Sequence, residues 1–552
     1  MPDPIYFDSH ATVGPRVQKH PRERWSTEHL LKDMDLTEIS GALVVHQIAK
    51  SYDPMYGNQR LKAELAKAPG RLFGAWCVGP LGGPGFFKTG DEMIRAMETE
   101  DIRAVCLVPD GAAVSGFPVH SAVMGPTFEI LQHHRIPTMM TVGSNYYPGG
   151  WGEDDIFPFF HELLTRYPEL PVVLTEYTWN LQRHIHPLME LHDNLYLELS
   201  AFQANRGLER YVADFGDDRL LFGTGMTARS PGAARAYVDY ARISNESKRK
   251  IAGENLKRLL RGQGPSQAAP RTRPNDPIVV EAREGRPLST LTIDAHCHVL
   301  HEGGQTAGIG KVMYDGDAEG VMEVAHWSGV DRLAMMSWSG PTCTDAHHGN
   351  EIVWKAIQRL GDAIMGVAVI DPSHMGPDEM REEIRLRHIE QGFVGMKPYP
   401  QMALSFEDER FTPWWEFGNK HRLYALTHVL GAEHTGGIDA IGRLAERFPE
   451  MSWLIAHSGS SFAYAEQVAA CIREHSNVYA EITYTWVPNR CVEFLVEAAG
   501  EDNVVYGSDQ PMRDPRPQMG WVAWADLSPQ IKGKVLGGNF QRVLDRAMLP
   551  GR

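Results

Sequence analysis

A chain of 552 residues is too long for one ordinary domain, so two large domains or three smaller ones are expected. Its hydrophobic content of 43% and charged content of 22% are those of a soluble globular protein, and no run approaches the roughly 18–20 apolar residues that span a bilayer. A net charge of −16 speaks against nucleic-acid and anionic-membrane partners, which need a basic surface, while leaving room for a local basic pocket.

The first predicted strand begins near Ile5 and carries Asp8-Ser9-His10-Ala11-Thr12. A strand so early leaves little room for a cleavable leader. The six cysteines (Cys77, Cys106, Cys297, Cys343, Cys471, Cys491) stand singly, without a CxxC pair, as reduced thiols do. A cytoplasmic location is therefore expected. Further along come Tyr56-Gly57-Asn58, then Gly74 in RLFGAWCVGP, Arg135-Ile-Pro-Thr, Gly223-Thr224, and Asn255 in IAGENLKRLL. Residues 262–290 read as a linker, opening on the Pro- and Gly-rich GQGPSQAAPRTRPNDP. The stretch IVVEAREGRPL inside it is expected to form a short hairpin.

Beyond the linker the same landmarks return in the same order. His348-Gly349-Asn350 and Gly366 lie 292 residues after their counterparts, Arg422-Leu-Tyr-Ala 287 after, and Gly507-Ser508 and Asn539 284 after. Such a period is a whole domain. Residues 1–261 and 291–552 are thus expected to be two copies of one fold. In the second copy, LTIDAHCHV, RLAMMSW, IMGVAVI, FVGMKPY, LYALTHV, SWLIAHS, VYAEIT and VVYGSD read as strands separated by helical stretches such as 378–388. Eight near-continuous apolar strands alternating with helices predict an α/β fold, a pair of tandem (β/α)8 TIM-type barrels.

Catalytic groups of such barrels sit at the C-terminal ends of strands. Strand one of the second copy offers His296 and His298, which alternate and so share a face. Strand four offers Lys397, strand five His428, strand six His457 and strand eight Asp509. Singly, each has a plainer reading: a core histidine, a solvated lysine, a turn cap. Together they form one mouth whose imidazoles and carboxylate suit a divalent transition metal, zinc first, with manganese or iron as alternatives. Tyr399, Arg422, Arg513 and Arg516 are candidate substrate contacts, the arginines suiting a carboxylate. Cys297, between the two histidines, reads as packing.

The ordered series DAHCH, GMKPYP, LTHVLG, LIAHSGS, VYGSDQP and LGGNFQRVL resembles the amidohydrolase superfamily. It looks most like the amidohydrolase-related branch that also contains aminocarboxymuconate-semialdehyde decarboxylase. The resemblance spans residues 291–552 and implies a metal-dependent hydrolase or, less often, a non-oxidative decarboxylase. It implies that His296, His298 and His428 are metal ligands and that Asp509 binds metal and acts as general base. It makes His457 either a ligand of a second ion or an acid that polarises substrate. Lys397 would bridge two ions if carbamylated; in decarboxylase-like members that bridge is absent. A lysine here leans toward hydrolysis of an amide, ester, lactone or imide in a small molecule, with decarboxylation of an unsaturated or aromatic acid as the alternative. A non-catalytic scaffold is the reading from another class. Whether one or two ions bind, and whether the chain forms a homo-oligomer, stay open.

In the first copy His10 survives, but Thr12 stands for His298, Val108 for Lys397, Thr141 for His428, Glu176 for His457 and Gly225 for Asp509. That copy is expected to keep the barrel without the metal site. A structural role is favoured over a binding pocket lined by His10, Glu176, Tyr177 and Trp179. His184 and His186 alternate too, but are expected at a helix start or on the surface.

Overall fold

The structure, a computed structural model, describes residues 4–16, 20–107, 120–141, 153–307, 311–340, 345–400 and 404–549. It divides into two compact units: Met1–Gln203 with Gly207–Arg273, and Ala204–Arg206 with Pro274–Arg552. No helix among the described residues is long and apolar enough to cross a membrane.

In the first unit eight parallel strands follow one another in chain order: β1 (Phe7–Val13), β2 (Gly41–His46), β3 (Leu72–Cys77), β4 (Ala104–Leu107), β5 (Thr138–Thr141), β6 (Val172–Thr175), β7 (Leu195–Glu198) and β8 (Leu220–Leu221). The ring closes where Ser9 N donates to Phe222 O at 2.9 Å and Ala11 bridges Met226. The second unit repeats this with β9 (Ile293–Val299), then a small antiparallel hairpin of β10 (Thr306–Ala307) and β11 (Lys311–Val312). Next come β12 (Arg332–Ser337), β13 (Ile364–Ile370), β14 (Gly395–Pro398), β15 (Tyr424–Thr427), β16 (Ser452–Ile455), β17 (Val478–Glu481) and β18 (Val504–Val505). Ala295 N donates to Tyr506 O at 3.0 Å and Cys297 bridges Gln510, closing the second ring. Most strand residues are buried, as a sheet covered by helices outside and side chains inside requires. Each unit is therefore a TIM-type barrel.

The repeated landmarks do repeated physical work. Asn58 donates to Cys77 O (2.7 Å) and accepts from Cys77 N (2.9 Å); Asn350 does the same with Val369 at 3.0 and 2.8 Å. Asn255 ties down the carbonyls of Asp217 and Leu220, and Asn539 those of Glu501 and Val504. Asp8 accepts from His10 N and Thr224 N, and Asp294 from His296 N and Ser508 N, so each first strand is latched to the turn after its eighth.

The expected hairpin in the linker is instead a helix, Pro277–Arg283. Asp276 caps it, accepting from Ile278 N and Val279 N, and Pro277 occupies its first turn. An Asp-Pro start is a helix signal that outweighed the β-branched run Ile278-Val279-Val280.

Candidate metal centre

All the groups that converge in the second barrel leave the C-terminal ends of strands. The alternation of β9 turns His296 and His298 to one face, and their Nε2 atoms lie 3.2 Å apart. Asp509, four residues past β18, adopts a left-handed backbone (φ 60°) and puts Oδ1 2.9 Å from His298 Nε2 and 3.6 Å from His296 Nε2. His457 follows β16, also left-handed (φ 62°), its ring 5.3 Å from His296 and 4.6 Å from His428. All but His428 are fully buried; His428 is partly so, and its Nε2 lies 3.2 Å from Leu430 O.

The hydrogen bonds fix which nitrogens are available. His296 Nδ1 is 3.1 Å from Glu481 Oε2, and His298 Nδ1 is 3.1 Å from Tyr399 Oη. Burial, then the nearby Lys397, holds His296 well below the usual imidazole range; burial also lowers His298 against the pull of Asp509. Asp509 stays ionised: burial would raise it, but Arg513 and the two histidines hold it well down. Two neutral imidazoles therefore aim lone pairs at each other and at a carboxylate. Such a set is mutually repulsive unless a cation lies among them, and N,N,O donors suit a divalent transition ion. Two trios have donor atoms all within 4.8 Å: His296, His298 and Asp509, and His296, His457 and Glu481. They share His296, and among the described residues both lie in the second unit. His428 belongs to neither trio.

Around these donors stand three aromatic rings, each holding a cation. Trp338 meets the His298 ring at 4.7 Å and Lys311 Nζ at 5.0 Å. Tyr399 meets His298 at 6.2 Å and Lys397 Nζ at 5.2 Å. Tyr484 meets His457 at 5.8 Å and the Arg513 guanidinium at 5.6 Å. Lys397 is buried and its Nζ makes no hydrogen bond among the described residues; burial lowers it to about 8. Arg513 pairs with Asp509 and donates to Thr485 Oγ1 at 2.7 Å.

Two expected substrate contacts are placed elsewhere. Arg422 is the left-handed C-cap of a helix that precedes β15, at the opposite end of that strand, half exposed and paired with Glu450 at 2.9 Å. Arg516 is fully buried, with both Nε and Nη2 on Asp514 and its face on Trp327, a structural anchor. Glu481 escaped the sequence reading, as did Lys311, Trp338 and Tyr484. Glu481 did leave a signal, since VYAEIT matches LYLELS and its Glu198. Lys311 left none, because its loop, between Val299 and Ala318, is longer than the one between Val13 and Thr27 in the first copy.

In the first barrel His10 Nε2 lies 3.3 Å from Glu176 Oε1 and its Nδ1 3.4 Å from Glu198 Oε2. Arg229, the counterpart of Arg513, pairs with Glu176 at 3.1 Å. Burial opposes a charge on His10, but Glu198 and Glu176 outweigh it and raise the imidazole; Arg229 and His10 in turn bring Glu176 down to about 2 despite burial. Here a guanidinium and a raised imidazole face the carboxylates. Thr141 Oγ1 is 3.1 Å from Thr175 Oγ1. Gly225 keeps the left-handed turn of Asp509 (φ 72°) without a side chain. Tyr177 and Trp179 are buried in the core. His186 lies within the helix Gln182–Leu191, 3.1 Å from Asp214. Val108 lies outside the described residues.

A family model described as amidohydrolase matches residues 30–262 and 293–546, most of both barrels. The chain belongs to the amidohydrolase family. No curated protein matches this chain. Among solved structures it is similar to 5-carboxyvanillate decarboxylase from Sphingomonas paucimobilis (15% identity, 47% of this chain and 99% of that one, TM-score 0.38). It is also similar to 4-oxalomesaconate hydratase from Rhodopseudomonas palustris (17%, 46% and 96%, 0.36) and to dihydroorotase from Campylobacter jejuni (12%, 46% and 83%, 0.35). Likenesses this distant do not choose among the three chemistries.

Proposed function

We propose that the second barrel is a metal-dependent decarboxylase of a small unsaturated or aromatic acid. The observation that carries this reading is the buried Lys397 ammonium, with no hydrogen-bond partner among the described residues, in a mouth that also holds Lys311 and Arg513. A carboxylate substrate would satisfy that charge; a neutral amide or lactone would not.

A divalent ion held by His296, His298 and Asp509 would supply Lewis acidity beside the substrate. Lys397 would anchor the substrate's acidic group. Tyr399 and Trp338 would give a conjugated ring flat walls. His457, whose Nδ1 lies 2.7 Å from Thr483 O, would handle the proton. When the carbon–carboxylate bond breaks, its electron pair stays on carbon, that carbon takes up a proton, and CO2 leaves.

One observation favours hydrolysis instead. The second trio, His296 with His457 and Glu481, offers a place for another ion, and an uncharged fraction of Lys397 could form the bridging carbamate. Product analysis separates the two. The zinc- or manganese-loaded protein, given a panel of hydroxybenzoic and muconic acids in D2O, is expected to release CO2 and leave deuterium at the vacated carbon. Turnover of lactones or imides with uptake of solvent oxygen and no CO2 would overturn the decarboxylase reading.

A further inference from the structure

The β10–β11 hairpin interrupts the route from the first to the second strand of the catalytic barrel, and it has a specific product. It delivers Lys311 to the mouth. The hairpin is pinned by Thr306 opposite Val312 and Ala307 opposite Lys311, and Met313 N donates to Gln305 O at 2.8 Å just beyond it. Asp315 N donates to the Gln305 side chain at 2.9 Å, and Gly316 N to Gly304 O at 2.9 Å. Lys311 therefore stands on a hydrogen-bonded platform.

Its side chain is nine-tenths buried. The ammonium lies over the Trp338 indole, 5.0 Å from the ring centroid, and 3.4 Å from Met512 Sδ, three residues beyond Asp509. The His298 ring lies 4.7 Å from the same indole. The ammonium is thus one indole away from a predicted metal ligand. Lys397 is placed differently: it rides on Tyr399, which touches His298 through its hydroxyl. Two ammonium groups consequently approach the same histidine from two different aromatic walls. Arg513 is engaged by Asp509 and Thr485, and Lys311 and Lys397 are the two ammonium groups beside the His298 walls.

Two ammonium groups on two different aromatic rings match two anionic groups on one flat molecule. We infer that Lys311 is a specificity-determining residue that holds a second acidic group of the substrate, distal to the carboxylate that Lys397 holds. The preferred ligands are then planar dianions, with the two acidic groups on different edges of one conjugated frame. The inference rests on the reading of this mouth as a site for an acidic substrate, but it concerns binding and does not require that CO2 be the product. A charge-assisted pair in a water-poor site is far stronger than a surface one, so losing Lys311 should be felt in the choice of ligand.

The test uses the zinc-loaded full chain and two probes, benzoate and isophthalate, titrated by calorimetry. Wild type is expected to bind the dicarboxylate at least 10-fold more tightly. Lys311→Met, close in length and free of charge, is expected to erase that preference while leaving benzoate affinity within about twofold; Lys311→Arg is expected to keep most of it. Equal affinity of wild type for the two probes overturns the inference. So does a Lys311→Met protein that weakens both alike, since a merely structural lysine would not change the ratio. Zinc content, measured on the same samples, reports separately on the metal site. Absence of CO2 release from any acid would sink the decarboxylase reading and leave the binding ratio standing.

Discussion

Glu481 and Glu198 end the seventh strands of the two barrels and do the same backbone work. Glu481 accepts from Thr483 N at 2.7 Å and His457 N at 3.2 Å; Glu198 accepts from Ser200 N and from Glu176 N at 3.3 Å. Glu481 orients a neutral imidazole, since His296 offers its other nitrogen to the donor set. A carboxylate behind a metal-binding histidine fixes tautomer and ring direction. Glu481→Gln is therefore expected to weaken metal binding about 10- to 100-fold, read by chelator competition. Glu198→Gln is expected to leave metal affinity unchanged and to cost roughly 1–3 kcal/mol of stability in urea, the usual cost of disturbing a buried polar network. His388 offers a cleaner pH test away from the site. It is fully buried between Trp414 and Phe417, its Nδ1 donating to Phe393 O at 2.8 Å, and burial lowers it to about 4. The unfolded chain titrates near 6.5, so the unfolded state binds more protons between those values. Its contribution is complete above pH ~6.5, falls as pH drops, and is gone below pH ~4, a loss of about 3 kcal/mol. His388→Asn keeps a donor but does not titrate, so its urea midpoint should fall less than wild type's between pH 7 and 4.5.

The repeat was legible because its landmarks are backbone necessities. Asn58 and Asn350 clamp strand ends, and Gly74 and Gly366 sit where a side chain would collide. A Cβ on Gly366 would lie 2.6 Å from the rigid ring of Phe393; one on Gly74 would meet Ile102 Cδ1 at 2.5 Å and Leu65 Cδ1 at 2.9 Å, both ends of flexible chains. Gly366→Ala is accordingly expected to destabilise its barrel by roughly 1–3 kcal/mol, and Gly74→Ala by less, measured by chemical unfolding. The first-strand histidines were legible too, since alternation alone puts them on one face. What could not be read were groups that depend on where a loop goes. Arg422 precedes its strand and so faces the far end, although its residue type suited a carboxylate. Lys311 reaches the mouth only because an inserted hairpin folds back. The helix Pro277–Arg283 was misread because its interior is β-branched, whereas its start, Asp276-Pro277, carried the correct signal.

At the scale of the molecule, the two barrels balance buried charge in different ways. The first sets the Arg229 guanidinium and the raised His10 imidazole against Glu176 and Glu198. The second also pairs a carboxylate with a guanidinium, Asp509 with Arg513, but adds His296, His298 and His457, all held below the usual imidazole range and so free to act as neutral donors beside Asp509 and Glu481. Stability from a bound ion should therefore be confined to one barrel. An ion that binds only the native state stabilises it by RT ln(1 + [L]/Kd), about 2.7 kcal/mol at 100 times Kd. Adding zinc to the chelator-stripped chain at that excess should slow amide exchange about 100-fold in the strands of the second barrel that open only by unfolding, β13 to β17 above all. Exchange in β2 to β7 should not change. Equal protection of both barrels would mean that the first also binds the ion, against its own guanidinium. Protection of neither would mean that the converging donors do not hold one. In the Asp509→Asn protein the zinc-dependent protection should vanish while the metal-free exchange pattern persists, because Asn keeps the shape of the turn and removes the charge that the ion requires.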